Sequence, residues 1–156
     1  MTMEDYREWT PVRLADPRSA TIVQLTHGMR LIVEAEGPVM ASRVFAIYSR
    51  AGGLGRIYEA TRRRMCLALD HALETGAFTA EREASDDPGT WIIRLPGQKP
   101  IRPRTLGSRT LHEIPAAELA EIMLDIRVQS DLISREELFR QVLDRYGLIR
   151  LTEATA

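Results

Sequence analysis

The chain has a single cysteine and no long apolar run, and each shortage removes a class of protein. A single cysteine, Cys66, among 156 residues excludes an internal disulfide and a zinc site built from several cysteines. No apolar stretch reaches the roughly 18 residues that a membrane-spanning helix requires. The N-terminal segment MTMEDYREW carries acids and lacks the apolar core of a signal peptide. These shortages predict a cytoplasmic protein that makes no membrane contact.

The sequence motifs of common catalytic and nucleotide sites are also missing. The cluster of Gly52, Gly53 and Gly55 suggests a phosphate-binding loop, but the chain has no Gly-Lys-Ser/Thr and no GxGxxG. It also lacks the GxSxG of a hydrolase, and its three histidines have no metal-ligand spacing. Glu34 and Glu36 are interpreted as solvated surface residues. We therefore predict no catalytic residue, no metal site and no cofactor, and hence a protein that is not an enzyme.

What the chain does have is arginine, distributed unevenly along the sequence. Lys99 is the only lysine among 21 basic residues. Residues 1–112 hold 16 basic and 13 acidic residues, whereas residues 113–156 hold 5 and 9. No acid occurs between Gly89 and His112. Arginine binds phosphates and carboxylates with a bidentate fork, so this distribution favours an anionic partner for the first part of the chain.

Helical spacing of apolar residues predicts three helices in the first half of the chain. The first is predicted to start at Asp16 as N-cap with Pro17 in the first turn, and to stop at Gly37. The second is predicted at about 40–49 and the third at about 57–75, with the glycine cluster as the turn between them. Two short strands, 78–83 and 91–96, follow with Pro88-Gly89 at the tip of their turn. This order is typical of a winged helix.

The predicted fold class is therefore mainly α with a small β-hairpin. It consists of a winged helix-turn-helix module and a second, partial winged-helix-like helical module. The predicted boundaries are an N-terminal arm at 1–18, the winged helix at 19–96, a basic linker at 97–112 and the second module at 113–156. In the second module Pro115 opens one helix, and Ser134 with Glu137 forms the capping box of the next. This module is either truncated after Arg150 or a helix pair that leans on the first module.

The arginines at the start of the third predicted helix are the strongest binding candidates. Bases in the first half and acids in the second half of a helix oppose its macrodipole, so another interaction should use those bases. A DNA backbone and internal salt bridges both remain open. Glu59 at the helix start, with Asp86 and Asp87 at the hairpin tip, opposes DNA binding. The predicted nucleic-acid contacts are Arg56, Arg62, Arg63, Arg64, Lys99, Arg102, Arg104 and Arg109.

Two long segments, IVEAEGPVMASRVFAIYSRAGGLGRIYEATRRRMCLALDHALETG and LHEIPAAELAEIMLDIRVQSDLISREELFRQVLDRYGLIRLT, resemble a known domain family. This is an uncharacterised domain at the C-terminus of large bacterial superfamily 1 helicase-like proteins, where it follows a helicase core and a small nuclease domain. The matching elements are Glu36-Gly37-Pro38, Gly55-Arg56, Ile114-Pro115 with Glu118, Glu136-Glu137-Leu138 and the ending from Gly147 to Arg150. The resemblance implies a winged-helix accessory domain for nucleic-acid transactions, without catalytic residues of its own. This chain carries neither the helicase nor the nuclease.

Two functions are consistent with the sequence. The first is a non-catalytic winged-helix module that binds duplex DNA within a helicase or nuclease system. The alternative is a protein–protein interaction module, an adaptor or a homodimer, that uses the same fold without binding DNA. The near-neutral net charge of -1 and the acidic second module favour the alternative.

Overall fold

The structure, a computed structural model, describes residues 1–148. That part of the chain is mainly helical with one small antiparallel sheet, and the sequence prediction is confirmed at this level. The α-helices are α1 Ile22–Glu36, α2 Ala41–Ala51, α3 Glu59–Glu74, α4 Ala116–Gln129 and α5 Arg135–Arg145. The strands are β1 Val39–Met40, β2 Thr79–Glu81 and β3 Ile92–Arg94, in the order β1-β3-β2.

Helix α1 begins later than predicted, at Ile22. Thr21 is its N-cap: the Thr21 side chain accepts the N–H of Gln24, and the Gln24 side chain accepts the N–H of Thr21. This reciprocal capping box satisfies two N–H groups that a helix start otherwise leaves unbonded. Asp16 caps a separate turn before the helix, where its Oδ1 accepts the Arg18 N–H and its carbonyl accepts the Ala20 N–H. The short turn therefore has a residue able to cap a helix at each end, Asp16 and Thr21.

The chain divides into two compact units. One is the Arg7–Pro100 unit; the other, called the terminal unit below, combines Met1–Tyr6 with the chain from Ile101 onward. The predicted arm is split because backbone hydrogen bonds tie Glu4 to Pro103 and Thr105, and Tyr6 N–H donates to Thr105 Oγ1. Most of the predicted linker is likewise part of a folded unit.

In the Arg7–Pro100 unit, α1, α2 and α3 surround a core to which each contributes one apolar stripe. On α1 the stripe is Leu25, Met29 and Ile32, all fully buried at the spacing of successive helical turns. The two predicted strands pair antiparallel as β2 and β3, and the inward-facing Ile93 of β3 joins the core. Strand β1 was not predicted; it is only two residues long and pairs Val39 with Ile93.

In the terminal unit, α4 and α5 pack around Ile122, Ile126 and Val142. The predicted cap of α5 is present, since Ser134 Oγ accepts the Glu137 N–H at 3.1 Å. The Glu137 carboxylate, however, bonds Arg140 rather than completing the box. The predicted ending near Arg150, and the truncation expected after it, lie outside the described residues.

Candidate functional site

The arginines at the start of α3 are placed close together, but two of the three serve internal contacts. Arg62 Nη2 lies 2.8 Å from Asp87 Oδ1 and joins α3 to the turn before β3. The Arg62 guanidinium holds the pKa of the Asp87 carboxyl below its usual value. Arg64 donates through Nε to Pro17 O at 3.2 Å and through Nη2 to Ala20 O. Arg62 and Arg64 therefore help to hold the unit together.

The outward surface of α3 is not basic. Arg63 is exposed, and its Nε lies 4.0 Å from Glu59 Oε1 one turn earlier. Asp70 and Glu74 are exposed further along the helix. Two large apolar side chains are also exposed here, Tyr58 at the N-cap and Leu67 in the middle of the helix. This surface combines acids with apolar groups, a composition that repels a phosphate backbone.

The segment predicted as a basic linker contains two buried arginines among the residues predicted as nucleic-acid contacts. Arg104 is 3% exposed and Arg109 is 4% exposed, so neither guanidinium can reach a phosphate at the surface. Arg102 Nε lies 2.6 Å from Glu4 Oε2, and Lys99 is exposed. The segment contains no acid of its own, and the acidic partners of Arg102 and Arg109 are Glu4 and Glu118, which lie outside it.

Arg109 is the centre of a buried polar network in the terminal unit. Its Nη1 and Nη2 each lie 3.0 Å from a carboxylate oxygen of Glu118, which is fully buried. Its remaining donors reach the carbonyls of Arg104, Thr105 and Leu106. Each of the three guanidinium nitrogens therefore makes at least one hydrogen bond, and the bidentate contact with Glu118 compensates the buried charge.

Tyr146, the C-cap residue of α5, completes that network. Its hydroxyl donates to Glu118 Oε2 at 2.6 Å. Burial, followed by this hydrogen bond to a carboxylate, raises the pKa of Tyr146, so the phenol stays neutral and acts as a donor. The sequence analysis did not predict that Glu118 is buried. Glu118, Ile122 and Ile126 nevertheless follow one another at four-residue intervals, on the apolar stripe of α4. That spacing is the signal that could have identified it as buried.

A second buried ion pair lies in the Arg7–Pro100 unit and corrects the interpretation of Glu36. Arg43 Nε donates to Glu36 Oε1 at 2.8 Å, and both side chains are almost completely buried. Glu36 Oε2 also accepts the backbone N–H of Trp9 at 3.0 Å. Glu34, in contrast, is exposed as expected. Glu36 thus anchors residues before α1 rather than facing solvent.

The glycine turn between α2 and α3 borders an open groove of about 480 Å³. The groove is lined by residues of the end of α2 and of the turn: Ala46, Ser49, Arg50, Leu54, Gly55, Arg56 and Ile57. Gly53 adopts φ +90°, a conformation that glycine accommodates without strain. Among residues 1–148, neither Arg50 nor Arg56 forms a hydrogen bond or an ion pair with another side chain. Both guanidinium groups are exposed at the surface.

Within residues 1–148 no helix has both the length and the apolar character needed to cross a membrane. The same residues contain no group of three or more His, Cys, Asp and Glu side chains arranged to hold a metal ion. The single thiol, Cys66, is partly buried, and this burial raises its pKa. Comparison of the chain with protein-family models, with curated proteins and with solved structures found no match.

Proposed function

We propose that the Arg7–Pro100 unit is a winged-helix module and that the protein is a non-catalytic docking module for another protein. The order α1, α2, turn, α3 and the β2–β3 pair supports the winged-helix assignment. The pairing of β1 with β3 adds the short third strand that such modules carry beside their hairpin.

The observation that carries the docking function is the internal use of the predicted DNA contacts. Arg62 and Arg64 tie α3 to neighbouring segments, and Arg104 and Arg109 are buried. A DNA-binding surface needs several exposed cations to neutralise consecutive phosphates. The outer surface of α3 instead carries Glu59 and other acids.

Exposed apolar side chains in both units support a protein partner. Tyr58 and Leu67 are exposed on α3. The terminal unit exposes four more on α4, on α5 and on the turn between them: Leu124, Val128, Leu132 and Phe139. Large apolar side chains at the surface are typical of protein contacts and contribute little to phosphate binding.

The docking function is tested by affinity capture with the full chain, combined with cross-linking and mass spectrometry. We expect one dominant protein partner, recovered in fixed stoichiometry after nuclease treatment and at 0.5 M salt. The variant of the α3 surface is Tyr58→Ser combined with Leu67→Ser. It removes two exposed apolar side chains without changing the net charge. A monomeric protein that captures no stoichiometric partner under these conditions would contradict the proposal.

Duplex DNA remains the second candidate, and the exposure of Arg56 and Arg63 near the start of α3 favours it. Association with a helicase or nuclease belongs to this candidate through the family resemblance. Fluorescence anisotropy with a labelled 20-base-pair duplex at low ionic strength tests it. Salt-sensitive binding that is lost in Arg56→Glu with Arg63→Glu would support DNA. Under the docking proposal, the wild type and this variant show the same negligible binding.

A further inference from the structure

We propose that the groove beside the glycine turn binds an acidic peptide segment of a partner protein, in which carboxylates flank an apolar side chain. This inference rests on the docking function proposed above and names the surface and the chemistry of the partner. The groove belongs wholly to the Arg7–Pro100 unit.

The cationic walls of the groove are available for a ligand. Arg50 lies in the last turn of α2 and Arg56 in the turn that follows, and both are exposed. In the described part of the chain no carboxylate pairs with either, in contrast to Arg62 on the next helix. Two free guanidinium groups on one groove favour carboxylates, which they bind with paired N–H donors.

The floor of the groove is apolar. Ala46, Leu54 and Ile57 line it, and each is partly exposed. The one hydroxyl nearby, that of Ser49, is buried and directed to Met65 Sδ at 3.7 Å. An apolar side chain of a ligand would therefore gain contact here, whereas a fully hydrated anion would not.

The surroundings strengthen the positive potential of the groove. Residues 37–58 contain no Asp or Glu. A guanidinium nitrogen of Arg13 lies 3.9 Å from the position that a Cβ on Gly53 would occupy. Asp16 is the acid near this turn, and Arg18 engages both of its carboxylate oxygens and lowers its pKa to about 2. Asp16 is thus already paired, and Glu59, two residues beyond Ile57, lies 4.0 Å from Arg63 Nε.

The shape and neighbours of the groove favour a peptide over a nucleic acid. A duplex presents about one phosphate charge per 1.7 Å of its axis, and binding it requires cations spread along that length. Glu59, exposed two residues beyond the lining residue Ile57, would repel a phosphate at this end of the groove. A short peptide needs only the two arginines and the apolar floor.

The experiment selects a displayed library of random eight-residue peptides on the full-length chain and then measures selected peptides by fluorescence anisotropy. We expect the selected peptides to be enriched in Asp and Glu next to apolar residues. Arg50→Gln with Arg56→Gln should weaken their binding at least about tenfold. The matched control is Arg127→Gln with Arg135→Gln, which removes two exposed charges from the terminal unit and should change affinity less than twofold.

The proposal is overturned if no peptide is selected, if the selected peptides lack acids, or if the control lowers affinity as much as the groove variant. Tighter binding of a labelled DNA duplex than of any peptide, with the same dependence on Arg50 and Arg56, would also overturn it and assign the groove to nucleic acid. Capture of a partner that survives Arg50→Gln with Arg56→Gln would overturn this site while leaving the docking function intact. The two proposals can therefore fail separately.

Discussion

At the scale of single residues, the chain uses arginine chiefly to organise its own interior. Arg109 is bound by Glu118 and three backbone carbonyls, and Arg43 is bound by Glu36. A buried charge is tolerated only when its partner and its hydrogen bonds are all present. Each of these two ion pairs therefore stabilises the local chain arrangement that brings its two charges together.

Glu118→Gln tests this dependence. The substitution keeps the size of the side chain but leaves Arg109 buried without a counter-charge, so we expect a loss of about 3–5 kcal/mol in the free energy of unfolding. Denaturant unfolding of the full chain measures it. Glu121→Gln, at an exposed position of the same helix, should change stability by less than about 0.5 kcal/mol. Equal effects of the two substitutions would show that the pair does not stabilise the terminal unit.

The sequence indicated where the charges are but not which of them are buried. Arg109 and Glu118 are nine residues apart, and Tyr146 lies 28 residues beyond Glu118. No helical spacing joins these positions, because the chain turns between them. The basic segment around Arg104 therefore resembled an open linker, since acids from other segments neutralise it only after folding. Residue type alone could not separate a binding arginine from a structural one.

At the scale of elements, the glycine that matters most for packing lies inside a helix. Gly28 sits on α1 where the helix meets Tyr48 of α2, and a Cβ added to Gly28 would lie 2.3 Å from Tyr48 Cε2. Gly55, in the conspicuous glycine turn, has nothing within 4 Å of the corresponding position. The close approach of α1 and α2 thus depends on Gly28.

Gly28→Ala and Gly55→Ala form a matched pair of substitutions. The added methyl at Gly28 must displace a buried tyrosine, so we expect a loss of about 1–3 kcal/mol. At Gly55 the same methyl meets no atom and reduces the freedom of the unfolded chain, so stability should be unchanged or rise by up to about 1 kcal/mol. Thermal unfolding of the two variants measures both effects. A Gly28 variant as stable as the wild type would mean that α1 and α2 can separate without cost.

The helices were largely predictable because their ends carry local chemistry. Gly37 ends α1, and Ser134 caps α5, as predicted. The predicted start of α1 was wrong because Asp16 and Thr21 are both residue types that cap helices. The Gln24 side chain forms a capping box with Thr21. Strand β1 was missed because two residues between helices present no periodicity, and their pairing depends on β3 more than fifty residues away.

At the scale of the whole molecule, the terminal unit is closed by the N-terminal segment. The guanidinium groups of Arg104 and Arg109 both lie over the Tyr6 ring, 4.6 and 4.4 Å from its centroid. Gly107, at φ +60°, packs so closely that a Cβ there would lie 2.8 Å from the ring. Cation–π contacts and burial together make this ring a structural part of the unit.

Tyr6→Ala should therefore destabilise the terminal unit selectively. Truncation of a buried aromatic residue typically costs about 3–5 kcal/mol, so amide hydrogen exchange in α4 should accelerate at least about hundredfold. Exchange in α1, α2 and α3 should stay within about threefold of the wild type. Tyr58→Ala, which removes an exposed tyrosine, is the control and should accelerate neither unit. Equal acceleration in both units would show that they unfold as one.

The hydrogen bond between Tyr6 and Thr105 joins residues 99 positions apart. During synthesis the Tyr6 segment leaves the ribosome before any of the Arg7–Pro100 unit, whereas the residues that bind it emerge after that unit is complete. The Arg7–Pro100 unit can therefore close while the Tyr6 segment still lacks its binding site. The terminal unit must therefore form late. Its two parts are joined by residues 7–100, and folding of that segment reduces the entropy cost of bringing the two parts together. Assembly thus follows an order imposed by the path of the chain.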